Sequence, residues 1–489
     1  MANSVDSKPQ ITNSGNLGKG IVDRKQLILF LMGLAIFPMI LLFLPQGLPW
    51  ATKATIAITG TGIFLWAFEP VPIAYTSLLV LVGMIILQSA TFEVAISGFS
   101  SSAVFLILAG FMMAKGVNST RLGHRMAYFT LAQCSNTPSG ILWGIILAPQ
   151  LLSLFIPATA VRTTLLLPMV VAIVASLKLT EEQVNIRKMM FLGLALGASI
   201  SGVGFLPSAL GNILTVELLE SHLGVNFLYF DWFWMAWPIW VLSVPVTWWL
   251  IKKVFPPEIN EFAPGNESET KQKLKELGPI TLAEKKCLAI LTLTVVLWMT
   301  QGWHGLSIAV PALLAVVLMC TPGTGFVKWD QLMDVKWDTY LLLAVTISLG
   351  NAVNHSGAAS FLAEPILQLG WVTKMLTVPL LAVIALTIFT QIYHVAVANI
   401  ATCVVTLVPI VFQVAARLDA DPVVFGVTVG LASLYGYILI IEILPAIIVH
   451  GEDTFNSQDF LRVGIFLTIA VTIITTLVAA TWWRWIGFI

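Results

Sequence analysis

Charged residues are scarce in this chain. Only 10% of its 489 residues are Asp, Glu, Lys or Arg, 58% are hydrophobic, and the mean hydropathy is +0.91. Soluble domains typically carry about a quarter of charged residues, so the composition excludes an ordinary soluble protein. Apolar runs recur along nearly the whole chain. At about 20 residues for each span they predict roughly ten to twelve membrane crossings, and the shorter runs suit re-entrant segments.

Cysteine is also rare, and net charge is absent. The four cysteines stand far apart without any C-x-x-C or other metal-ligand spacing, which excludes a disulfide framework and a metal site of that type. The formal net charge is zero, so no basic surface indicates nucleic-acid binding. No cofactor and no metal ligand are expected. The expected partner of the apolar runs is membrane lipid.

Two hydrophilic segments divide the chain. Residues 1–25 are predicted to be a disordered cytoplasmic tail, since no small-residue cleavage site follows the first apolar run. Residues 255–286 form a linker between two membrane halves, residues 26–254 and 287–489. Lysine pairs flank the linker and Arg24-Lys25 precedes the first span, so the positive-inside rule places both hydrophilic segments in the cytoplasm. These features predict a multi-pass protein of the cell membrane, inner or plasma.

The two membrane halves resemble each other in short stretches that follow the same order. Ala160–Pro168 (AVRTTLLLP) resembles Ala401–Pro409 (ATCVVTLVP), and Phe105–Ala109 resembles Tyr340–Ala344. Two further pairs keep this order. Matched interruptions in two halves are typical of transporters built from inverted repeats, which bind their solute between the repeats. The sequence therefore predicts an all-α polytopic fold with two inverted repeats.

Each half contains two polar interruptions of its apolar runs. They are Ile156–Arg162 with Leu206–Asn212 in the first half, and His394–Thr402 with Glu442–Gly451 in the second. A broken helix leaves free N–H groups at the start of the next helix, and these donors bind anions. We expect residues 156–162 and 394–402 to be tips of re-entrant hairpins and the other two breaks to complete an anion site. The alternative is ordinary proline or glycine kinks.

These tips and loops resemble the divalent-anion/sodium symporters of the ion-transporter superfamily, and more closely their dicarboxylate and citrate exchanger branch. Pro157-Ala-Thr-Ala-Val-Arg162 is similar to the first tip of that family, and Ala398-Asn-Ile-Ala-Thr402 is similar to the second. Gly211-Asn212 and Pro445-Ala446 are similar to its two loops. The resemblance covers residues 26–489.

The resemblance implies secondary active transport of a small anion, with a di- or tricarboxylate favoured, by an elevator mechanism in a homodimer. It implies a substrate site drawn from both tips and both loops: Ala158, Thr159, Arg162, Gly211, Asn212, Ala398, Asn399, Thr402, Pro445 and Ala446. Arg162 matches an arginine of the exchanger branch, so it is a candidate for bidentate hydrogen bonding to a substrate carboxylate. Pairing with a helix C-terminus or snorkelling is the other interpretation of this arginine.

The coupling ion is a separate question. Of the family's Ser-Asn-Thr tip only Thr159 survives in the first half, and Ile400 is apolar in the second. A hard cation prefers oxygen ligands, so the tips disfavour sodium coupling and favour exchange or proton coupling. His394 is a candidate proton carrier because a histidine titrates near neutral pH, and Glu442 is a second candidate because it lies in an apolar run.

Two other functions compete with carboxylate transport. The altered tips would also suit a transporter of sulfate or of an organic sulfonate or phosphonate. A remote alternative is a membrane-embedded enzyme that uses His394, Glu442 and Asp453. The sequence disfavours the enzyme, since it has no nucleophile motif, phosphate loop or metal-ligand spacing.

Overall fold

The protein is described by a computed structural model that covers residues 24–135, 137–177, 179–262 and 268–489. The predicted tail falls largely on residues 1–23, outside the described residues, while Arg24 and Lys25 already belong to the first helix. The described chain is helical throughout and contains no strand. Before the linker its helices are α1 (Arg24–Phe43), α2 (Trp50–Phe68), α3 (Ile73–Ile86), α4 (Phe92–Ile96), α5 (Ser102–Asn118), α6 (Leu122–Ala132), α7 (Pro138–Leu152), α8 (Thr159–Ser176), α9 (Val184–Ile200), α10 (Leu210–Leu223) and α11 (Tyr229–Val254).

The linker contributes one short helix, and the second half follows it with a similar succession of long and short helices. These are α12 (Ser268–Glu276), α13 (Leu282–Met299), α14 (Gln301–His304), α15 (Ala309–Cys320), α16 (Trp329–Leu332), α17 (Trp337–His355), α18 (Ala358–Gln368), α19 (Gly370–Leu376), α20 (Pro379–Val397), α21 (Ile400–Arg417), α22 (Pro422–Ala432), α23 (Leu444–His450) and α24 (Ser457–Val478).

The lengths and composition of the helices suit a bilayer. Seven of the described helices are long and apolar enough to cross a membrane, and a pair bent by 41°, Phe92–Ser100 with Ser102–Asn118, would make an eighth span. The prediction of roughly ten to twelve crossings also counted apolar runs that form the shorter helices α3, α7, α15 and α22. Large apolar side chains such as Leu42 and Phe43 are exposed on the outside, where lipid would cover them. The chain is therefore an all-α polytopic membrane protein.

Helices of the two halves pack against each other. In the outer pairs, α3 packs on α17 and α15 packs on α5. In the inner pairs, α10 packs on α21 and α22, whereas α23 packs on α8 and α9. Each short helix that follows a break thus lies against the hairpin of the other half. This exchange of partners brings the interrupted segments of both halves into the interior.

The end of the linker is tied to the first half. The Nε atom of Arg125 on α6 lies 3.3 Å from Glu284 Oε1, and its Nη1 donates to the carbonyl oxygen of Gly278 at 3.0 Å. Thr281 caps the helix that contains Glu284, and this helix begins at Leu282, within the segment assigned to the linker. The linker therefore ends in a fixed contact with α6.

Candidate functional site

The first tip is the turn between α7 and α8. Ala158 precedes α8 with a φ of 71°, and no side chain caps the N–H groups of the first turn of α8. Those donors remain available to a ligand. Pro157 packs on Gly110 of α5, where an added Cβ would lie 2.9 Å from Pro157 Cβ. The tip is thus held in place from one side while its helix N-terminus is left open.

The second tip is the turn between α20 and α21. Ala398 adopts a left-handed conformation with a φ of 52°. Asn399 follows it and caps α21, because its Oδ1 accepts a hydrogen bond from the backbone nitrogen of Thr402 at 3.1 Å. The hydroxyl of Thr402 is buried and has no hydrogen-bond partner. This tip therefore has an alanine with a positive φ, as the first tip has, but it carries its own cap.

Two helix breaks accompany the tips. The first separates α9 from α10 and contains a 3-10 turn, Leu206–Ser208. The second separates α22 from α23 and contains another, Ile440–Glu442. The predicted break at Glu442–Gly451 was placed too far along the chain, since Leu444–His450 is helical. Pro445 occupies the first turn of α23, where a proline starts a helix rather than interrupting it.

Arg162 joins the first tip to the first break. It is fully buried on the second turn of α8. Its Nη1 donates to the carbonyl oxygen of Ile156 at 2.6 Å, its Nη2 to that of Ser208 at 3.0 Å, and its Nε to the hydroxyl of Ser201 at 3.1 Å. A buried guanidinium needs such acceptors. These three bonds fix the arginine and leave only part of its donor capacity for a substrate.

Asn212 organises the same break from the other side. Its Nδ2 donates to the carbonyl oxygens of Gly202 and Phe205, at 2.7 and 2.9 Å. Its Oδ1 is buried and has no hydrogen-bond partner. The amide therefore holds the unwound backbone while one acceptor stays free.

Close contacts at two glycines bring parts of the predicted site together. A Cβ added to Gly211 would lie 3.1 Å from Ile400 Cγ2 and 3.0 Å from Ser433 Oγ, so the start of α10 touches the second tip and the second break. A Cβ added to Gly202 would lie 3.1 Å from Thr159 Cγ2. Pro445 and Ala446 are buried on α23, which packs against α8 and α9.

Exposure separates the site residues into two groups. Ala158, Thr159, Ala398 and Asn399 are partly exposed at the two tips. The other group is buried behind them: Arg162, Gly211, Asn212, Thr402, Pro445 and Ala446. Among the tips and breaks as the structure describes them, Arg162 and Glu442 are the only residues with a formal charge. A solute would meet the tips first.

The partners of Arg162 were missed by sequence reasoning. Two of the three are backbone carbonyls, which carry no residue signature, and Ser201 is an ordinary small residue at the end of α9. The sequence signal that was available is the run of polar and small residues from Ser199 to Gly204, which continues an apolar helix. Such a run marks where a buried helix opens.

Paired helical hairpins and broken helices inside an all-helical membrane protein define a solute transporter. Residues 24–489 match the family model described as the sodium:sulfate symporter transmembrane region. The chain belongs to this family. The predicted membership of the divalent-anion/sodium symporters is thereby confirmed, and the chain is a multi-pass membrane transporter rather than an enzyme.

Two relatives match over nearly their full length. A protein of Cupriavidus necator described only as a membrane protein is 26% identical over 464 residues, which cover 91% of this chain and 90% of that protein. The sodium-dependent dicarboxylate transporter SdcS of Staphylococcus aureus is 26% identical over 476 residues, covering 93% of this chain and 90% of SdcS. The chain is similar to both along almost its whole length.

Proposed function

We propose that this protein is a secondary active transporter of a small di- or tricarboxylate and that it works as a homodimer by an elevator mechanism. The observation that carries the proposal is the pairing of two tips with two breaks. Each break is followed by a helix that packs on the hairpin of the opposite half. A solute held among these four segments would contact both halves at once.

Two inverted repeats account for the succession of helices. Arg162 and Cys403 are each the fourth residue of the helix after a tip, and Ser208 and Glu442 each end a 3-10 turn. The packing of α3 on α17 and of α5 on α15 repeats the same exchange in the outer helices. Matched breaks in such repeats are the usual binding region of secondary transporters.

The chemistry of the tips suits an anion. The N-terminus of α8 has no side-chain cap, and neither has that of α10. Unpaired N–H groups and the positive end of the helix dipole stabilise a carboxylate without a mobile cation. Thr159, at the start of α8, and Asn399, which precedes α21, are partly exposed and can add hydrogen bonds. We place the substrate carboxylates there, with Arg162 supporting the first tip from behind.

A sulfate or an organic sulfonate or phosphonate is the second candidate substrate. It is favoured by the family description, which names sulfate, whereas SdcS is named for dicarboxylates. SdcS is also named as sodium-dependent. In this chain the tips carry few side-chain oxygens, so we propose that sodium is dispensable and that exchange or proton coupling drives transport.

Ligand-induced thermal stabilisation of the detergent-purified protein tests the substrate class. A panel should contain succinate, malate, citrate, sulfate and methylphosphonate, each with and without sodium. Because a ligand that binds the folded state stabilises it by mass action, we expect the dicarboxylates to raise the denaturation midpoint most. A larger rise with sulfate or methylphosphonate would replace the carboxylate proposal with the second candidate.

A further inference from the structure

His394 is a buried histidine at the end of α20, directly behind the second tip. Its side chain is 1% exposed, and neither Nδ1 nor Nε2 has a hydrogen-bond partner. A buried polar group without a partner is costly, and more so in a membrane. The imidazole therefore retains two unused nitrogen atoms in a place where helices normally satisfy every polar group.

Glu442 lies next to this histidine. Gly436 separates the two side chains, and a Cβ added to it would lie 2.6 Å from His394 Cε1 and 2.8 Å from Glu442 Cβ. The carboxylate of Glu442 accepts hydrogen bonds from the backbone nitrogens of Ile438 and Leu439, at 3.2 and 3.1 Å. These bonds fix the carboxyl group in the second break, beside the imidazole.

A row of polar residues follows the face of α20 that carries His394. Thr387, Thr390 and Gln391 precede it at helical spacing, and Gln391 Nε2 donates to the hydroxyl of Thr472 on α24 at 3.0 Å. The hydroxyls of Thr387 and Thr390 are buried without partners. Thr163 and Thr406, by contrast, each donate to a carbonyl one turn earlier.

In the first half, an arginine that is always charged stands at the position equivalent to this part of the second half. Arg162 occupies the fourth position of α8 and bonds Ser208, the last residue of the first 3-10 turn. In the second half the fourth position of α21 is Cys403, and the last residue of the 3-10 turn is Glu442. A fixed positive charge is thus replaced by a small thiol, while the break itself gains a negative charge.

Among the residues that the structure describes near the second break, no fixed positive charge takes the place of Arg162. The helices packed against α20 carry few charged residues in the described chain, and these lie at helix ends or bond elsewhere: Lys53 on α2, Lys374 on α19, Arg417 on α21, and Asp459 and Arg462 on α24. The titratable groups closest in sequence to the cluster are uncharged near neutral pH: Tyr393, Cys403, Tyr435 and Tyr437.

We propose that His394 and Glu442 form a proton-binding site, and that a proton bound there is carried across the membrane together with the anion. The proposal rests on the transport function proposed above. A ring nitrogen of His394 takes the proton from water on one side of the membrane, and the imidazolium returns it to water on the other side after the site has moved. Glu442, beside the ring, offsets the imidazolium charge while the proton is bound, as a partner does for a buried ion.

Proton uptake that accompanies anion uptake tests this proposal. The purified protein is reconstituted into liposomes that contain the pH dye pyranine, without sodium and with the membrane potential clamped at zero by potassium and valinomycin. Radiolabelled succinate is added outside, and protein-free liposomes correct for permeation of the acid. We expect the lumen of wild-type vesicles to acidify in proportion to succinate uptake. Succinate uptake without acidification would overturn the proposal.

Variants assign the proton to this cluster. In His394→Gln and in Glu442→Gln we expect the ratio of protons to succinate to fall at least five-fold, whatever succinate rate remains. His355→Gln, at an exposed histidine at the end of α17, should keep the wild-type ratio. A wild-type ratio in His394→Gln would overturn the assignment. Should neither cluster variant fold, the wild-type ratio still decides proton coupling. Wild-type vesicles that take up no succinate here but accumulate labelled succinate when preloaded with unlabelled succinate would overturn proton coupling and leave exchange. Absence of uptake in both assays would overturn dicarboxylate transport as well.

Discussion

Arg162 Nη2 donates a hydrogen bond to the carbonyl oxygen of Ser208, 3.0 Å away, and so fastens the first hairpin to the first helix break. A charged side chain inside a bilayer is expensive unless its surroundings receive it. Here the turn before α8 and the end of α9 supply further acceptors at Ile156 and Ser201. The arginine that the sequence predicts to be a substrate ligand is therefore a structural clamp in this fold.

Replacement of this clamp should impair both stability and transport. Loss of a hydrogen bond that involves a charged group costs about 1.5–3 kcal/mol, so Arg162→Ala should lower the thermal denaturation midpoint and abolish anion uptake. Arg162→Lys keeps the charge but lacks the forked set of donors. Its denaturation midpoint and its uptake should therefore lie between those of the wild type and Arg162→Ala. The exposed Arg187 on α9 offers a matched control, since Arg187→Ala should change neither property. Uptake at the wild-type rate by Arg162→Ala would show that transport does not need this residue.

The contact of Gly211 with the second tip gives a second prediction. A Cβ at this position would lie 2.9 Å from Leu434 Cδ2 and 3.1 Å from Ile400 Cγ2. Overpacking of this kind costs about 1–3 kcal/mol, so Gly211→Ala should displace the tip and slow anion uptake at least ten-fold. Gly83→Ala on α3 is the matched control, because no atom lies within 4 Å of the added Cβ. Equal rates for the two variants would show that this contact does not govern transport.

The left-handed alanine of the second tip gives a third prediction. A left-handed conformation costs a residue with a Cβ about 1–2 kcal/mol, and glycine escapes that cost while losing about 0.4–1 kcal/mol through a more flexible unfolded chain. Ala398→Gly should therefore raise the denaturation midpoint slightly. Ala401→Gly, inside α21, should instead reduce the free energy of unfolding by about 1 kcal/mol and so lower the midpoint. A fall in the midpoint for Ala398→Gly would show that the backbone of Ala398 is not strained in this turn.

The sequence alone located the turns and helix breaks from which the candidate site is drawn. The low charge and recurrent apolar runs indicate a polytopic membrane protein, and Arg162 is visible because an apolar run has few reasons to contain an arginine. The likeness of Ala160–Pro168 to Ala401–Pro409 also pairs Arg162 with Cys403, and each of these is the fourth residue of its helix. These signals are local in sequence, so single stretches suffice to find them.

Non-local contacts could not be predicted in the same way. The partners of Arg162 lie in a different helix break and include carbonyl groups that every residue possesses. The second break was placed at Glu442–Gly451 because of its proline, whereas the chain opens earlier, between Ala432 and Leu444. A proline marks both helix starts and helix interruptions, and packing against α8 and α9 decides which one occurs.

Counterflow in liposomes tests the central claim most directly. Vesicles that contain the purified protein are loaded with a high concentration of unlabelled succinate and diluted into a trace of labelled succinate, without sodium or a pH gradient. A transporter of dicarboxylates exchanges the two pools, so labelled succinate should accumulate transiently in wild-type vesicles and not in those with Arg162→Ala. Absence of accumulation by the wild-type protein, with accumulation of labelled sulfate in sulfate-loaded vesicles, would contradict dicarboxylate transport.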